Sequence, residues 1–548
     1  MKLNISLLIV FLSCTVTFAQ TDSFVTQLNK PYYTQGDKVY YKLILPTAYD
    51  GKPTVFNIRL YRNSTLLSQF YNRSTDGNSI NGEIELAQDF ESGDYQLAFF
   101  VADREQKITE NVGLIDFKVY NDLSEEEPLT GGYQSNLDHN KVLSITAKFD
   151  SIVETRSLND ISLVVLNEEK EPIPAEFSVS ILDKELVYGE QSPFISLSSY
   201  SDYSITNPSN NLFFEGVVTD DTNSPQELKI IAVWSIEGQD FSFTRSNAEG
   251  SFFFELDDFE GKQNIQFVRY DHSPENLNYK LVTPSLATAD KNANIDIESI
   301  VNYLAESRTR RKLAQYFGYY KRDKLVTNSI ITPEIPKANV YYKLSEYKRF
   351  QTIGNFIKEL STVLKIKIDD EGLYTARMTD PKTKSIGDFY LGETPIFIID
   401  GVISRDANFA GSISFDDVVD IKLYYDLKDL RKMFNVMGRD GAVIVQTKLP
   451  NFSLDSEEQA DIFRLNGLQS GTSILSHDPK TSTADSTSPM FSPSIYWNPK
   501  LTSDAEGKAD FSFYHTDDIG QFVIMVLART ADGQVVSKLI EYNAESVE

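Results

Sequence analysis

The stretch NKPYYTQGDKVYYKLIL, residues 29–45, decides how the chain is read. Gly36-Asp37 marks a turn. The run after it is filled with Val, Tyr, Leu and Ile, residues that suit a pleated, half-buried surface. Similar runs lie around it: SFVTQL, TVFNIRLY, GEIEL, YQLAFFVA and IDFKVY, broken at Asp50-Gly51, Asp76-Gly77 and Ser92-Gly93. Short strands at this spacing predict an antiparallel β-sandwich over residues 20–121.

Upstream, Met1-Lys2 precedes the apolar run Leu3 to Leu12, and the small-residue site Thr17-Phe18-Ala19 follows. That is the three-part layout of a secretory signal peptide, residues 1–19, with cleavage expected before Gln20. The run is shorter than the roughly 20 residues a bilayer span needs. The only cysteine, Cys14, falls inside this segment, so a processed chain has no disulfide, thiolate nucleophile or zinc-cysteine cluster. Cys14 as a lipid attachment site is the alternative, but Phe11-Leu12-Ser13 suits it poorly. No later stretch is long and apolar enough for a membrane helix, so the body is expected to be peripheral to a membrane at most.

The chain has 548 residues, with 79 acidic against 52 basic and a net charge of −27. Nucleic acids and anionic lipid surfaces both need clustered Lys and Arg, so this balance argues against them. The acidity fits solubility outside the cytoplasm.

Downstream, SEEEPLTGG places a linker at 122–140. VLSITAKF, DISLVVLN and AEFSVSILD read as three strands within 141–205, too few to close a sandwich. Residues 206–290 read as a small β unit, and 291–340 as a helical connector, where Ile and Leu recur at helical spacing among Arg308, Arg310, Arg311 and Lys312. That basic cluster is expected to be a solvated helix face. Within 341–449 the pattern is α+β: a helix from Thr352 to Leu364, strands KIKI and LYTARM, then TPIFIIDGVISRD and ISFDDVVDIKLYYDLKDLRKMFNVMGRDGAVIVQTK. Residues 450–490 are rich in Ser, Thr, Asp and Gln and read as a linker. Four strand candidates close the chain at 491–548. Three strands in 141–205 and four in 491–548 together have the size of one immunoglobulin-like sandwich. One sandwich split by a long insertion is therefore expected, with beads on a string as the rival.

Several segments resemble known families. NKPYYTQGDKVYYKLIL with SGDYQLAFFVAD, PIPAEFSVSILD, and IYWNPKLTSDAEGKADFSFYHTDDIGQFVIMVLART resemble macroglobulin-like domains of the α2-macroglobulin superfamily. FFEGVVTDDTNSPQELKIIAVW with SNAEGSFFFEL resembles the carboxypeptidase regulatory-like β-sandwich. Residues 341–449 resemble the plug domain of TonB-dependent outer-membrane receptors in the form seen in Bacteroidota. Ile399-Asp400-Gly401, Val418 to Leu423, Leu427 to Phe434 and Gly438-Arg439-Asp440-Gly441 occupy its motif positions. The resemblance implies structural turns at Asp400, Gly401, Gly438 and Gly441. A receptor barrel needs many alternating strands of about ten residues, and only about 100 residues follow Lys448, so no transport through this chain is expected. Macroglobulin trapping through a thioester needs a Cys-Gly-Glu-Gln that is absent here. The fold class expected is mainly β with an α+β insert.

Catalytic signatures are missing. His139, His272, His477 and His515 show no metal-ligand spacing, and no Gly-x-Ser-x-Gly elbow, P-loop or dinucleotide fingerprint occurs. A glycosidase would need two carboxylates facing across a cleft. No catalytic residue, cofactor or metal is expected. Trp234 and Trp497 lie in strand-like runs and are expected in cores. Asp150-Ser151-Ile152 and Asp485-Ser486-Thr487 resemble O-glycan acceptor tripeptides of Bacteroidota. The functional expectation is a binding or scaffold protein of the periplasm or outer membrane with a protein partner there. The alternatives are a secreted surface adhesion or ligand-binding protein, since GQFVIMVLARTADGQVVSKLIEYN loosely resembles a C-terminal secretion signal of that phylum, and an enzyme such as a glycosidase.

Overall fold

The computed structural model describes residues 23–121, 143–149, 151–184, 195–199, 205–270, 277–282, 306–310, 312–313, 316–317, 321–324, 336–379, 381, 391–449, 461–469, 473–476, 489–492 and 494–546. The signal segment 1–19 with Cys14, the linker 122–140, His139, His272, His477, Asp150, Arg311 and Asp485-Ser486-Thr487 lie outside the described residues. The chain is mainly β, built from several packed sheets.

The first sandwich packs two sheets. One runs Ile195–Ser199, Ser23–Leu28, Lys38–Ile44, Ser79–Glu85. The other runs Tyr32–Thr34, Ile108–Tyr120, Gly93–Asp103, Thr54–Arg62, Thr65–Ser74. Phe24, Leu28, Tyr41, Leu43, Phe56, Ile58, Leu97 and Phe99 fill the space between them, each contributing about 1.5–3 kcal/mol of apolar burial. Ile195–Ser199 pairs antiparallel with Ser23–Leu28, from Ser23↔Ser199 to Gln27↔Ile195. It therefore belongs to this sandwich and not to the 141–205 unit in which the sequence reading placed it. Five residues, three of them Ser, are too short and too polar to show where they pair.

The segments 143–183 and 494–545 share one sandwich. Ala175–Asp183 lies between Ser494–Thr502 and Gly520–Thr530, antiparallel to both. In the facing sheet Leu158–Leu166 pairs with Lys508–Tyr514, from Leu158↔Tyr514 to Val164↔Lys508. Gly520–Thr530 is buried on both faces. Phe522, Ile524, Val526 and Ala528 enter this sandwich's core, while Val523, Met525 and Leu527 enter that of the first sandwich. A strand covered on both sides needs an unbroken apolar run, which is why FVIMVLA has no polar residue.

A third sandwich pairs Ser251–Leu256, Leu212–Thr219 and Asn278–Leu281 against Asp240–Arg245, Ile230–Ser235, Lys262–Arg269 and Ile462–Asn466. Its last strand comes from the stretch read as a linker. Ile462–Asn466 pairs with Lys262–Arg269, from Gln266↔Ile462 to Lys262↔Asn466. Ser473–Ser476, from the same stretch, pairs with Lys321–Lys324 and, through Leu475↔Trp497, with Ser494–Thr502. The linker reading of 450–490 and the wholly helical reading of 291–340 are corrected accordingly. These strands are four or five residues long, below the window in which periodicity is readable.

The α+β unit is thus inserted within the third sandwich. Its five-stranded sheet runs Val340–Lys343, Val418–Tyr424, Ala442–Thr447, Ile396–Ile399, Val402–Ser404, with a parallel pair between Ile396–Ile399 and Ala442–Thr447. One face is covered by helices Ile353–Leu360 and Ala407–Ser412 and the hairpin Leu364–Ile368/Tyr374–Met378, through Phe356, Ile366, Phe397, Ile421 and Val445. The helix starts are set by caps: Thr352 accepts from Asn355 N–H, and Asp406 from Asn408 and Phe409 N–H. The other face packs with helix Leu427–Phe434 against Ala232, Trp234, Phe241 and Val268 of the third sandwich.

Candidate functional site

The Asp400-Gly401 turn lies at the joint between the α+β unit and the third sandwich. Asp400 has φ +49° and Gly401 φ +91°. The Asp400 N–H donates to the Val445 carbonyl at 3.0 Å. Its carboxylate accepts from Thr447 N–H at 2.8 Å and from the Thr447 hydroxyl. The aspartate therefore locks the ends of two parallel strands. The Gly401 carbonyl accepts from Trp234 Nε1 at 2.7 Å, and a Cβ there would stand 2.9 Å from Ile236 Cγ2. Only glycine fits that approach at that φ. Two residues on, the Gln266 amide pairs with Ile403 as a strand would: Nε2 donates to the carbonyl at 2.8 Å and Oε1 accepts from the N–H at 2.8 Å. The Trp234 ring lies 4.7 Å from Phe241 and 6.1 Å from Phe434.

Gly438 and Gly441 lie at the opposite end of the same parallel pair, where Ile396 N–H donates to the Gly441 carbonyl. Gly441 has φ +96°, and a Cβ would meet Met378 Cβ at 2.9 Å. At Gly438 a Cβ would meet Phe434 Cβ at 3.0 Å. The structure thus places the four motif residues as two separated turns.

Sequence reasoning missed the other polar joints. Lys42 is fully buried between the first and split sandwiches, where it pairs with Glu176 at 2.7 Å and donates to the Pro499 carbonyl at 2.6 Å. Burial lowers the Lys42 pKa against the pull of Glu176. Burial alone would raise the Glu176 carboxyl, but Lys42, Lys500 and the Ser79 hydroxyl bring it below its ordinary value. The available signal was VYYKLIL, apolar on both faces around one lysine, as a doubly covered strand requires.

Asp103, also fully buried, ties the first sandwich to the entry of the third. It accepts from the N–H groups of Glu105, Gln106, Thr206 and Asn207. Burial works to raise its pKa, and the donated N–H groups with the Thr206 hydroxyl overcome it, holding the carboxyl at about 2. Residues 461–469 form a staple between the same two sandwiches. Leu468 N–H donates to Phe259, Tyr71 N–H to Gly467, and Gln469 N–H to Tyr71.

Arg310, read as part of a solvated face, instead approaches Asp518 at 3.3 Å and Asp183 at 3.6 Å in the split sandwich. Arg308 and Lys312 are exposed. His515 is fully buried, with Nδ1 3.0 Å from the Thr516 carbonyl and its ring edge-on to Phe522 at 4.6 Å. Desolvation lowers its pKa. Trp234 and Trp497 are both core residues. Among the described residues no group of three or more His, Cys, Asp or Glu is placed to hold a metal ion, and no helix is long and apolar enough to cross a membrane. The geometry is that of joints: buried polar groups that hold one unit against the next.

No known family and no curated protein matches the chain. Solved structures do match. The native conformation of E. coli alpha-2-macroglobulin is 8% identical, covering 97% of this chain and 40% of that one, with TM-score 0.24. A point mutant of Salmonella alpha-2-macroglobulin is 8% identical, covering 96% and 40%, with TM-score 0.24. E. coli alpha-2-macroglobulin activated by porcine elastase is 8% identical, covering 95% and 44%, with TM-score 0.23. The chain spans about 40% of the length of the first of these.

Proposed function

We propose that this chain is a non-enzymatic binding or scaffold protein of the bacterial cell envelope, an accessory component of an outer-membrane complex. One observation carries the reading. The sandwiches exchange strands and lock through buried polar joints at Lys42–Glu176, Asp103 and Gln266–Ile403, so the chain is a frame that presents the α+β unit in a fixed orientation. Rigid presentation of a surface is what a binding scaffold needs, because ordering costs are then met at folding and not at association. The signal-peptide pattern at 1–19 supports export, and the likeness of 341–449 to a receptor plug supports a partner at the outer membrane. Its role is then to hold that partner and not to pass a solute.

The test is affinity purification of the tagged chain from cross-linked, detergent-solubilised envelopes, with mass spectrometry. A reproducible envelope protein at near-stoichiometric yield is expected. A monodisperse, partner-free monomer in the periplasmic fraction overturns the reading.

A further inference from the structure

Helix Leu427–Phe434 ends at Asn435, whose φ is +50°, and the 3-10 turn Asn435–Gly438 follows it in one amphipathic segment. Its inner side is fixed: Leu430, Phe434 and Met437 are buried in the cluster that includes Trp234 and Phe241. Its outer side exposes Lys428, Arg431, Lys432 and Arg439 together with Leu427, 46% exposed, and Val436, 45% exposed. Lys428, Arg431 and Lys432, three and four residues apart, share one side of the helix with Leu427 at its border, and Val436 and Arg439 follow beyond the break at Asn435.

Among the described residues Lys428, Arg431 and Lys432 have no carboxylate within 4 Å. Arg439 meets only its neighbour Asp440 at 3.5 Å. Asp426 caps the helix by accepting from Lys428 N–H at 2.9 Å, and Asp429 is half-buried. Helix stability does not account for the charges. Cations favour a helix C-terminus, which suits Arg431 and Lys432, but Lys428 sits in the first turn, where the dipole opposes it.

The surrounding charge sharpens the contrast. Residues 336–449 contain 17 Lys and Arg against 16 Asp and Glu, while the rest of the chain contains 35 against 63. A cationic stripe on a near-neutral unit, carried by a strongly acidic frame, matches an acidic segment of a partner protein. An anionic membrane would face the repulsion of the whole frame as well as the attraction of the stripe.

We infer that the outer face of residues 427–439 is a docking surface for an acidic, Leu- or Ile-containing peptide segment of a partner protein. Carboxylates meet Lys428, Arg431, Lys432 and Arg439, and apolar side chains cover Leu427 and Val436. This deepens the scaffold reading and rests on it only for the existence of a partner.

The test uses the full chain and a fluorescent 12-residue peptide repeating Glu-Glu-Leu, read by anisotropy. Binding is expected to weaken about tenfold or more in K428E/R431E/K432E/R439E. It should also fall steeply as salt is raised beyond about 0.1 M, where the Debye length is about 10 Å. K365E/K367E, on the hairpin of the same unit, keeps the affinity. If the charge-reversed chain misfolds by circular dichroism, K428Q/R431Q/K432Q/R439Q takes its place, with the same loss expected. Equal binding by parent and variant, no binding by the parent, or binding to phosphatidylglycerol vesicles in place of the peptide each overturns the surface. Envelope capture by the charge-reversed chain equal to that of the parent overturns the surface and leaves the scaffold reading standing. A parent chain that captures no partner removes the scaffold reading and leaves the peptide result to be judged alone.

Discussion

Replacing Gln266 by Leu tests whether the α+β unit is locked to the third sandwich by a side chain acting as a strand. Gln266 is 3% exposed and makes two hydrogen bonds of 2.8 Å to the Ile403 backbone. Leucine has nearly the same volume but neither donor nor acceptor. The Ile403 N–H and carbonyl are then left facing an apolar group. Each unpaired buried backbone group costs about 1–3 kcal/mol. The added apolar burial returns about 1–2 kcal/mol, so a net loss of about 3 kcal/mol at the joint is expected. Trp234 reports the joint directly, because its indole N–H donates to Gly401. Only two tryptophans exist, so Trp497→Phe leaves Trp234 as the single tryptophan, read by excitation that spares tyrosine. In urea, with a slope of about 2 kcal/mol/M, Gln266→Leu should lower the Trp234 transition midpoint by about 1.5 M. A midpoint within about 0.2 M of the parent, with the emission maximum unchanged, refutes the reasoning.

Two further outcomes follow from the other joints. Asp103 is held at about 2 in the folded chain against about 3.9 unfolded. A depressed folded value gives stability that is complete above the unfolded pKa and disappears as pH falls through the folded one. Asp103→Asn should therefore cost about 2–3 kcal/mol at pH 7 and flatten the loss of stability between about pH 5 and 2 in acid-denaturation curves. Glu176→Gln leaves Lys42 buried with its ion-pair partner gone and should cost about 3–5 kcal/mol by chemical denaturation, whereas the apolar pair Lys42→Met/Glu176→Leu should be near neutral.

The longer strand runs of the first sandwich were readable because each has enough residues for its period to show, and the short α+β strands because turns and helices bracket them. The joining of 143–183 to 494–545 was readable from strand counts, since neither segment could close a core alone. Ile195–Ser199, Ile462–Asn466 and Ser473–Ser476 were not, because short strands take their identity from distant partners. Trp234 was legible as a core residue, but not as a hydrogen-bond donor to Gly401, which depends on the docking of two units. Asp400 and Gly401 were legible as a turn, and the same docking makes that turn a joint. Asp103 looks like an ordinary surface charge in the sequence, and only the covering layers bury it, whereas the apolar run around Lys42 carried a signal of its burial.

The central claim is that segments at opposite ends of the chain close one sandwich and so make the units a single frame. Asp160 and Ser512 are directly opposite on Leu158–Leu166 and Lys508–Tyr514 and are joined by a hydrogen bond at 2.5 Å. Opposed antiparallel residues have Cα atoms about 4.5–5.5 Å apart, within the range a disulfide spans. In Asp160→Cys/Ser512→Cys, with Cys14 replaced by Ser, mild oxidation of the folded chain should form the 160–512 disulfide nearly completely. Peptide mapping should find it, and oxidation in denaturant should not reproduce that yield. Two free thiols that alkylate readily in the native chain after oxidation would contradict the account.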